Sequence, residues 1–269
     1  MTNINANTKA KLGPKPKPRI FSDSFTMFKR SLIKTQRSPE AMFMALIVPI
    51  FMMVLFAFVF GSVADVGEFS YINFIVPGII VQCVTNASSA TALGVHSDMS
   101  KGIIDRFRSM AIAKSAVLSG HVWVSVLRSM VITAVVIGAA LVMGFRPSAG
   151  FTDWLVIAAI LTLFIIAVTW IAVILGMIAK DSESISGGIF LLVILTFLSS
   201  GFAPTENLPT ALRIFAQNQP MTPVIDAVRS LMLGLPTNGE VLAALAWCIG
   251  ITIVAFALAV HIYKSKLTR

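Results

Sequence analysis

Charge is what this sequence has least of. Only 12% of its 269 residues are Asp, Glu, Lys or Arg, and 57% are hydrophobic, against roughly 25% charged and 45–50% apolar in soluble domains. Such a balance excludes a water-soluble globule and describes a membrane protein. The two cysteines, Cys83 and Cys248, fall inside apolar runs, so they read as small buried hydrophobes and not as a disulfide framework. The three histidines, His96, His121 and His261, are scattered, with no H-E-x-x-H pair and no carboxylate cluster beside them, and no metal site is expected. No G-x-x-x-x-G-K-[ST] loop occurs, so the chain has no means of cradling a nucleotide itself. A G-x-S-x-G elbow is also missing, and the acidic residues sit almost entirely between apolar runs, which leaves an intramembrane acid/base enzyme little to work with. The first apolar run begins only near Ala41, after a long basic leader, too late for a cleaved signal peptide.

What remains is apolar sequence in long pieces. Runs of about 20 apolar residues, enough to span a bilayer as helix, cover approximately Ala41 to Phe60, Ile72 to Leu93, Val117 to Met143, Thr152 to Ile178, Ile185 to Ser200 and Val241 to Tyr263. They are continuously apolar and lack the alternation of a barrel wall, so their backbones must close hydrogen bonds within each segment. The expected fold is an all-α membrane protein of six transmembrane helices, residues 39–269, with both termini on one side.

The basic residues choose that side. Nine Lys or Arg lie in the leader up to Arg37; Lys101, Arg106, Arg108 and Lys114 join runs two and three; Lys180 joins four and five; and Lys264, Lys266 and Arg269 form the tail. Seventeen therefore share one side, against Arg146, Arg213 and Arg229 on the other. The positive-inside rule makes the crowded side, with both termini, cytoplasmic. The same asymmetry accounts for the net charge of +9 without invoking nucleic acid.

Within the leader, residues 1–20 include GPKPKPR and read as an extended, disordered basic tail. Residues 21–38 change character: Phe21, Phe25, Phe28 and Leu32 recur at helical spacing among Lys29, Arg30 and Lys34, the pattern of an amphipathic helix at the interface. A solvated basic segment that only enforces topology is the alternative. On the outer side, about forty residues separate runs five and six, with prolines at 204, 209, 220, 223 and 236 punctuating two short apolar segments, Leu208 to Phe215 and Val224 to Leu233. Each is too short to span, and a structureless loop of that length is unusual. Two short helices dipping into the outer leaflet are expected.

Few polar groups lie within the runs. The second run holds Gln82, Thr85, Asn86, Ser88, Ser89 and Thr91; these should face the bundle, where they could touch a substrate, although interhelical hydrogen bonding is the favoured role. Arg128 lies about eleven residues into the third run, and the reading preferred for it is a side chain that snorkels to the cytoplasmic headgroups. The connection GIIDRFRSM, Gly102 to Met110, sets Ile103, Ile104, Phe107 and Met110 at helical spacing, with Asp105, Arg106 and Arg108 elsewhere. It is suited to a groove on a soluble partner, apolar side for contact and charges for register; an ordinary basic loop fits equally well.

The six-run plan, the amphipathic leader, GIIDRFRSMAIAKSAVLSG and the late GFAPTENLPTALRIFAQNQPMTPVIDAVRSLMLG together resemble the permease subunits of type-2 ABC exporters, closest to the daunorubicin-resistance, DrrB-like branch. The most specific element is Asn218 to Gly234. The resemblance implies two permease chains, paired as a homodimer, working with two separate ATP-binding subunits that carry the ATP and Mg; this chain would need no cofactor. It implies that Gly102, Ile103, Asp105, Arg106, Phe107 and Arg108 belong to a coupling helix seated on the ATPase, and that the leader is a connecting helix. It also makes Pro220, Thr222, Pro223, Asp226 and Arg229 a re-entrant outer motif, and Gln82, Thr85, Asn86 and Ser89 part of a substrate path near the dimer interface. Relatives of this kind carry a proline where this chain has Ala111. The function so implied is export of an amphipathic drug, antibiotic or lipid-like product across a bacterial cytoplasmic membrane. The alternatives are an ion-coupled or passive transporter and, further off, a membrane-embedded lipid-modifying enzyme.

Overall fold

A computed structural model describes residues 39–61, 70–100 and 114–268. The leader helix expected over 21–38 and the stretch Gly102 to Met110 lie outside the described residues. Those described are all helix and connection, without a strand. The helices are α1 (Pro39–Phe60), α2 (Tyr71–Ala87), α3 (Ser89–Ser100), α4 (Lys114–Val142), α5 (Phe151–Ile178), α6 (Ser182–Phe197), α7 (Thr210–Asn218), α8 (Met221–Leu233) and α9 (Glu240–Thr268), with a 3₁₀ turn over Thr205–Asn207.

Among the described residues, four helices are long and apolar enough to cross a membrane: Tyr71–Ser100, taking α2 and α3 together, Leu118–Val142, Phe151–Ile178 and Glu240–Tyr263. Leu46–Phe60 and Ser182–Phe197 are shorter apolar helices. The second run is longer than its apolar content announces: helix continues past Leu93 to Ser100, and the last helix continues past Tyr263 to Thr268. Polar residues at both ends let the helix extend beyond the hydrocarbon, since 30 residues rise about 45 Å against a core of about 30 Å.

Local chemistry sets the boundaries. Asp153 accepts from the Gly150 N–H at 2.8 Å to start α5, and Asp181 accepts from the Ser184 N–H at 2.8 Å to start α6. Pro204, Pro209 and Pro220 stand directly before the 3₁₀ turn, α7 and α8, as the punctuation predicted. Gly234, in the left-handed region at φ 66°, ends α8, and the Leu235 N–H returns to the Ser230 carbonyl at 2.8 Å.

Helix α5 is the axis of the bundle, in contact with α3, α4, α8 and α9. Its buried face includes Ile157, Ile160, Phe164, Ile165, Val168 and Val173. Helix α3 approaches α5 so closely that a Cβ on Gly176 would overlap the Ala92 carbonyl, and Ala92 and Ala172 are fully buried there. Small residues at such a crossing replace hydrophobic drive, which is absent in lipid, with close backbone packing.

The bundle has two polar ends. Residues 70–74, 143–150, 198–208 and 230–236 meet at one: the Arg146 N–H donates to Asn73 Oδ1 at 3.2 Å, and the Ser148 N–H donates to the Met232 carbonyl at 2.9 Å. Arg146, Arg213 and Arg229 all belong to this end, while Lys180 and the helix ends at 100 and 114 belong to the other, the sorting that the charge count predicts.

Candidate functional site

The outer motif is built where α8 passes beneath the turn that follows α6. Arg229 donates from Nε to the Phe74 carbonyl at 3.2 Å, from Nη1 to Asp226 Oδ1 at 2.6 Å, and from Nη2 to the Ser200 carbonyl. Its guanidinium also lies 4.0 Å above the Phe74 ring, a cation–π contact that desolvation strengthens. Asp226 accepts a second hydrogen bond, from the Ser200 hydroxyl, at 2.6 Å. Asp226 and Arg229 stand three residues apart on α8, so helical geometry makes them neighbours. One guanidinium thus joins α2, α8 and the 198–204 turn.

The other residues of the motif shape the entry to α8. Pro220 and Pro223 flank its first turn, where a missing N–H costs nothing. Thr222 donates to the Ala216 carbonyl at 2.5 Å and folds α7 back on α8. The structure brings Pro220, Thr222, Pro223, Asp226 and Arg229 into one unit.

Gln219, which the motif reading passes over, is as central. Its amide nitrogen donates to the Leu195 and Leu198 carbonyls at 2.9 and 2.8 Å, closing the open end of α6. Its only signal in sequence is position, directly before Pro220. Gln219 also lines a cavity of about 570 Å³ with Leu195, Ile214, Phe215 and Asn218. Gln219→Leu should keep the volume, strand both carbonyls and cost about 1–3 kcal/mol; thermal unfolding of the purified protein in detergent measures it.

The second run behaves differently from expectation. Thr85 donates to the Val81 carbonyl at 2.8 Å, Asn86 to the Gln82 carbonyl at 3.2 Å, and Ser88 to the Thr85 carbonyl at 2.6 Å. These three side chains therefore bond to their own helix, and the expected interhelical role is corrected for them. The reason is that Ser, Thr and Asn reach carbonyls three or four residues back without needing a neighbour. Gln82 is buried, and its Oε1 accepts no hydrogen bond among the described residues; Asn86 is exposed and Ser89 half-buried.

A further charged side chain inside the bundle lies on α4. Arg128 does not snorkel to headgroups. It donates to the Ala87 carbonyl at 2.6 Å and to the Thr91 hydroxyl at 3.2 Å, because a strong donor inside the bundle gains more from a freed backbone carbonyl than from extending along α4. Nearer the start of α4, His121 Nε2 lies 3.1 Å from the buried Asp98, and Ser125 shares a 3.0 Å hydrogen bond with Thr169. Cys83 and Cys248 are buried free thiols. Among the described residues, no group of three or more His, Cys, Asp or Glu could hold a metal ion.

A family model described as ABC-2 type transporter matches residues 23–233. The chain is 28% identical over 246 residues to the daunorubicin resistance ABC transporter permease protein DrrB1 of Streptomyces coeruleorubidus, covering 91% of this chain and 87% of that protein. It is 25% identical over 215 residues to the probable doxorubicin resistance ABC transporter permease protein DrrC of Mycobacterium tuberculosis, covering 78% and 76%. It is 27% identical over 197 residues to the inner membrane transport permease YadH of Escherichia coli, covering 71% and 76%.

Proposed function

Because the chain belongs to the ABC-2 type transporter family and is the permease subunit of an ABC exporter, we propose that it exports an amphipathic drug, antibiotic or lipid-like product from the cytoplasm. Two copies of it span a bacterial cytoplasmic membrane with six helices each and cytoplasmic termini, α1 and α6 serving as the first and fifth spans. Two ATP-binding chains, which hold the ATP and Mg, drive them. The observation that carries this reading is a permease match over most of the chain in a sequence without a phosphate loop: the energy must arrive from outside. The drug class rests on the names of two relatives, one a daunorubicin and one a probable doxorubicin resistance permease.

The handle for that energy is Gly102, Ile103, Asp105, Arg106, Phe107 and Arg108, a coupling element between α3 and α4. Closure of the ATPase pair moves these handles and shifts a two-state equilibrium of the spans between inward-facing and outward-facing forms. Helices α7 and α8 act as a re-entrant outer cap. The substrate path runs beside Gln82, Thr85, Asn86 and Ser89, polar groups gathered on the second span.

Co-purification tests the assignment. A separate ATP-binding chain should travel with this one and hydrolyse ATP in its presence; substrate transport by this chain alone would overturn the reading. Replacing Asp105, Arg106 and Phe107 together with alanine should weaken ATPase docking and lower transport about tenfold or more, the scale of a coupling free energy. Expression and insertion should hold. Unchanged complex formation and transport would remove the coupling assignment.

A further inference from the structure

The second span is one helix interrupted at a single residue. Between α2 and α3 the Thr91 N–H, which in an unbroken helix would reach the Ala87 carbonyl, bonds to the Ser88 carbonyl at 3.0 Å. Ala87 is left with an orphaned acceptor in the middle of an apolar bundle, an arrangement that costs free energy unless a donor is found. Arg128 supplies that donor, at 2.6 Å, and fixes the first turn of α3 through Thr91 at 3.2 Å. A side chain entering the ladder in this way is one of the few physical causes of a helix kink. Arg128 stands 14 residues before the outer end of α4 at Val142, about 21 Å down the helix, well inside the hydrocarbon. A charge there marks a role by default.

The two pieces of the span have different neighbours. Helix α2 lies with α1, α4, α8 and α6, whereas α3 lies mainly with α5 and only secondarily with α6 and α4. A second contact, His121 with Asp98 at 3.1 Å, fastens α3 to α4 again, two residues before α3 ends.

We propose that Arg128 is a positioning residue for transport: bonded to the last residue of α2 and to the first turn of α3, it latches the break at Ala87–Ser88 at one angle and ties both pieces of the span to α4, which leads to the coupling element. Movement delivered at residues 102–108 then reaches the substrate path through this held joint instead of being lost in bending at Ser88. This deepens the exporter reading and rests on it.

Pulsed EPR on the full-length protein in nanodiscs tests the latch directly. Spin labels at Ser70→Cys and Ser100→Cys, both exposed positions, report the end-to-end distance of the span once Cys83 and Cys248 are replaced by alanine. Arg128→Met should broaden the distance distribution, and Arg128→Lys, which keeps a donor, should restore it. In proteoliposomes with the ATP-binding subunit, doxorubicin carried per ATP hydrolysed should fall about tenfold in Arg128→Met and stay within about threefold in Arg128→Lys. An unchanged distribution in Arg128→Met overturns the proposal, as does a transport-to-hydrolysis ratio equal to the parent's. If Arg128→Met fails to insert, Thr91→Val takes its place, and an unchanged distribution there also overturns it. The distances need no ATPase and no substrate. A parent protein that ignores doxorubicin or its ATPase speaks against the exporter reading alone, and the distances still decide on Arg128.

Discussion

Arg229→Met is expected to be the most damaging single substitution at the end of the bundle where residues 70–74, 198–208 and 230–236 meet. The change removes three hydrogen bonds and a cation–π contact, and it leaves Asp226 without its cation. Breaking a buried ion pair by removing one partner costs about 3–5 kcal/mol, chiefly because a charge stays behind uncompensated. Here the lower end applies. Asp226 retains the Ser200 hydroxyl, and its side chain is 30% exposed against 12% for Arg229, so part of the stranded charge remains solvated. The loss should therefore be about 3 kcal/mol. Removing both charges, as Asp226→Asn with Arg229→Met, should recover part of it, because the neutral amide no longer demands a cation. Thermal unfolding in detergent of the two singles and the double gives the coupling. Additive losses would show that the two side chains act independently and would refute the lock.

Gly78→Ala should rank second. A Cβ at Gly78 would stand 2.5 Å from the Gly201 carbonyl oxygen and 2.7 Å from its Cα. The obstacle is backbone, which cannot rotate away as a side chain end can. Helix α2 must then separate from the 198–204 turn, and the Tyr71 hydroxyl, 3.1 Å from the Phe202 carbonyl, moves with it. Overpacking of this kind costs about 1–3 kcal/mol and more where backbone must yield. Gly187→Ala is the control: nothing lies within 4 Å of a Cβ there, and its unfolding temperature should match or exceed the parent's, since alanine favours a helix interior over glycine. Equal behaviour of the two variants would show that the close approach at Gly78 carries no stability.

Much of this fold was legible in the apolar runs, because a bilayer leaves a backbone few ways to satisfy itself and each run reports its own helix. The helix starts around 204–220 were legible for a different reason: proline acts locally, so Pro204, Pro209 and Pro220 mean the same thing before and after folding. Asp226 and Arg229 could be picked out by the family resemblance, yet the partners that explain Arg229 could not. The carbonyls of Phe74 and Ser200 belong to every residue type alike, and only the tertiary fold decides which of them lose their helical donors. Arg128 was misread on the same grounds. Its target, the Ala87 carbonyl, becomes available only because the ladder slips by one residue at Ser88, and no pattern in the second run announces that slip. Gln219 was hidden similarly, since both its acceptors are the open end of another helix.

The position of α9 bears on how the chain is made. Its principal neighbours are α5 and α8, which the ribosome has finished before α9 begins to emerge. Helix α9 therefore meets a surface already assembled and can settle on it as it emerges. Helix α1 has the opposite history: its neighbours, α2 and α4, come after it, and it must rest in lipid until they arrive. The large apolar side chains of α1, such as Phe51, Phe58 and Val59, are exposed in the finished chain, a surface fit for that wait.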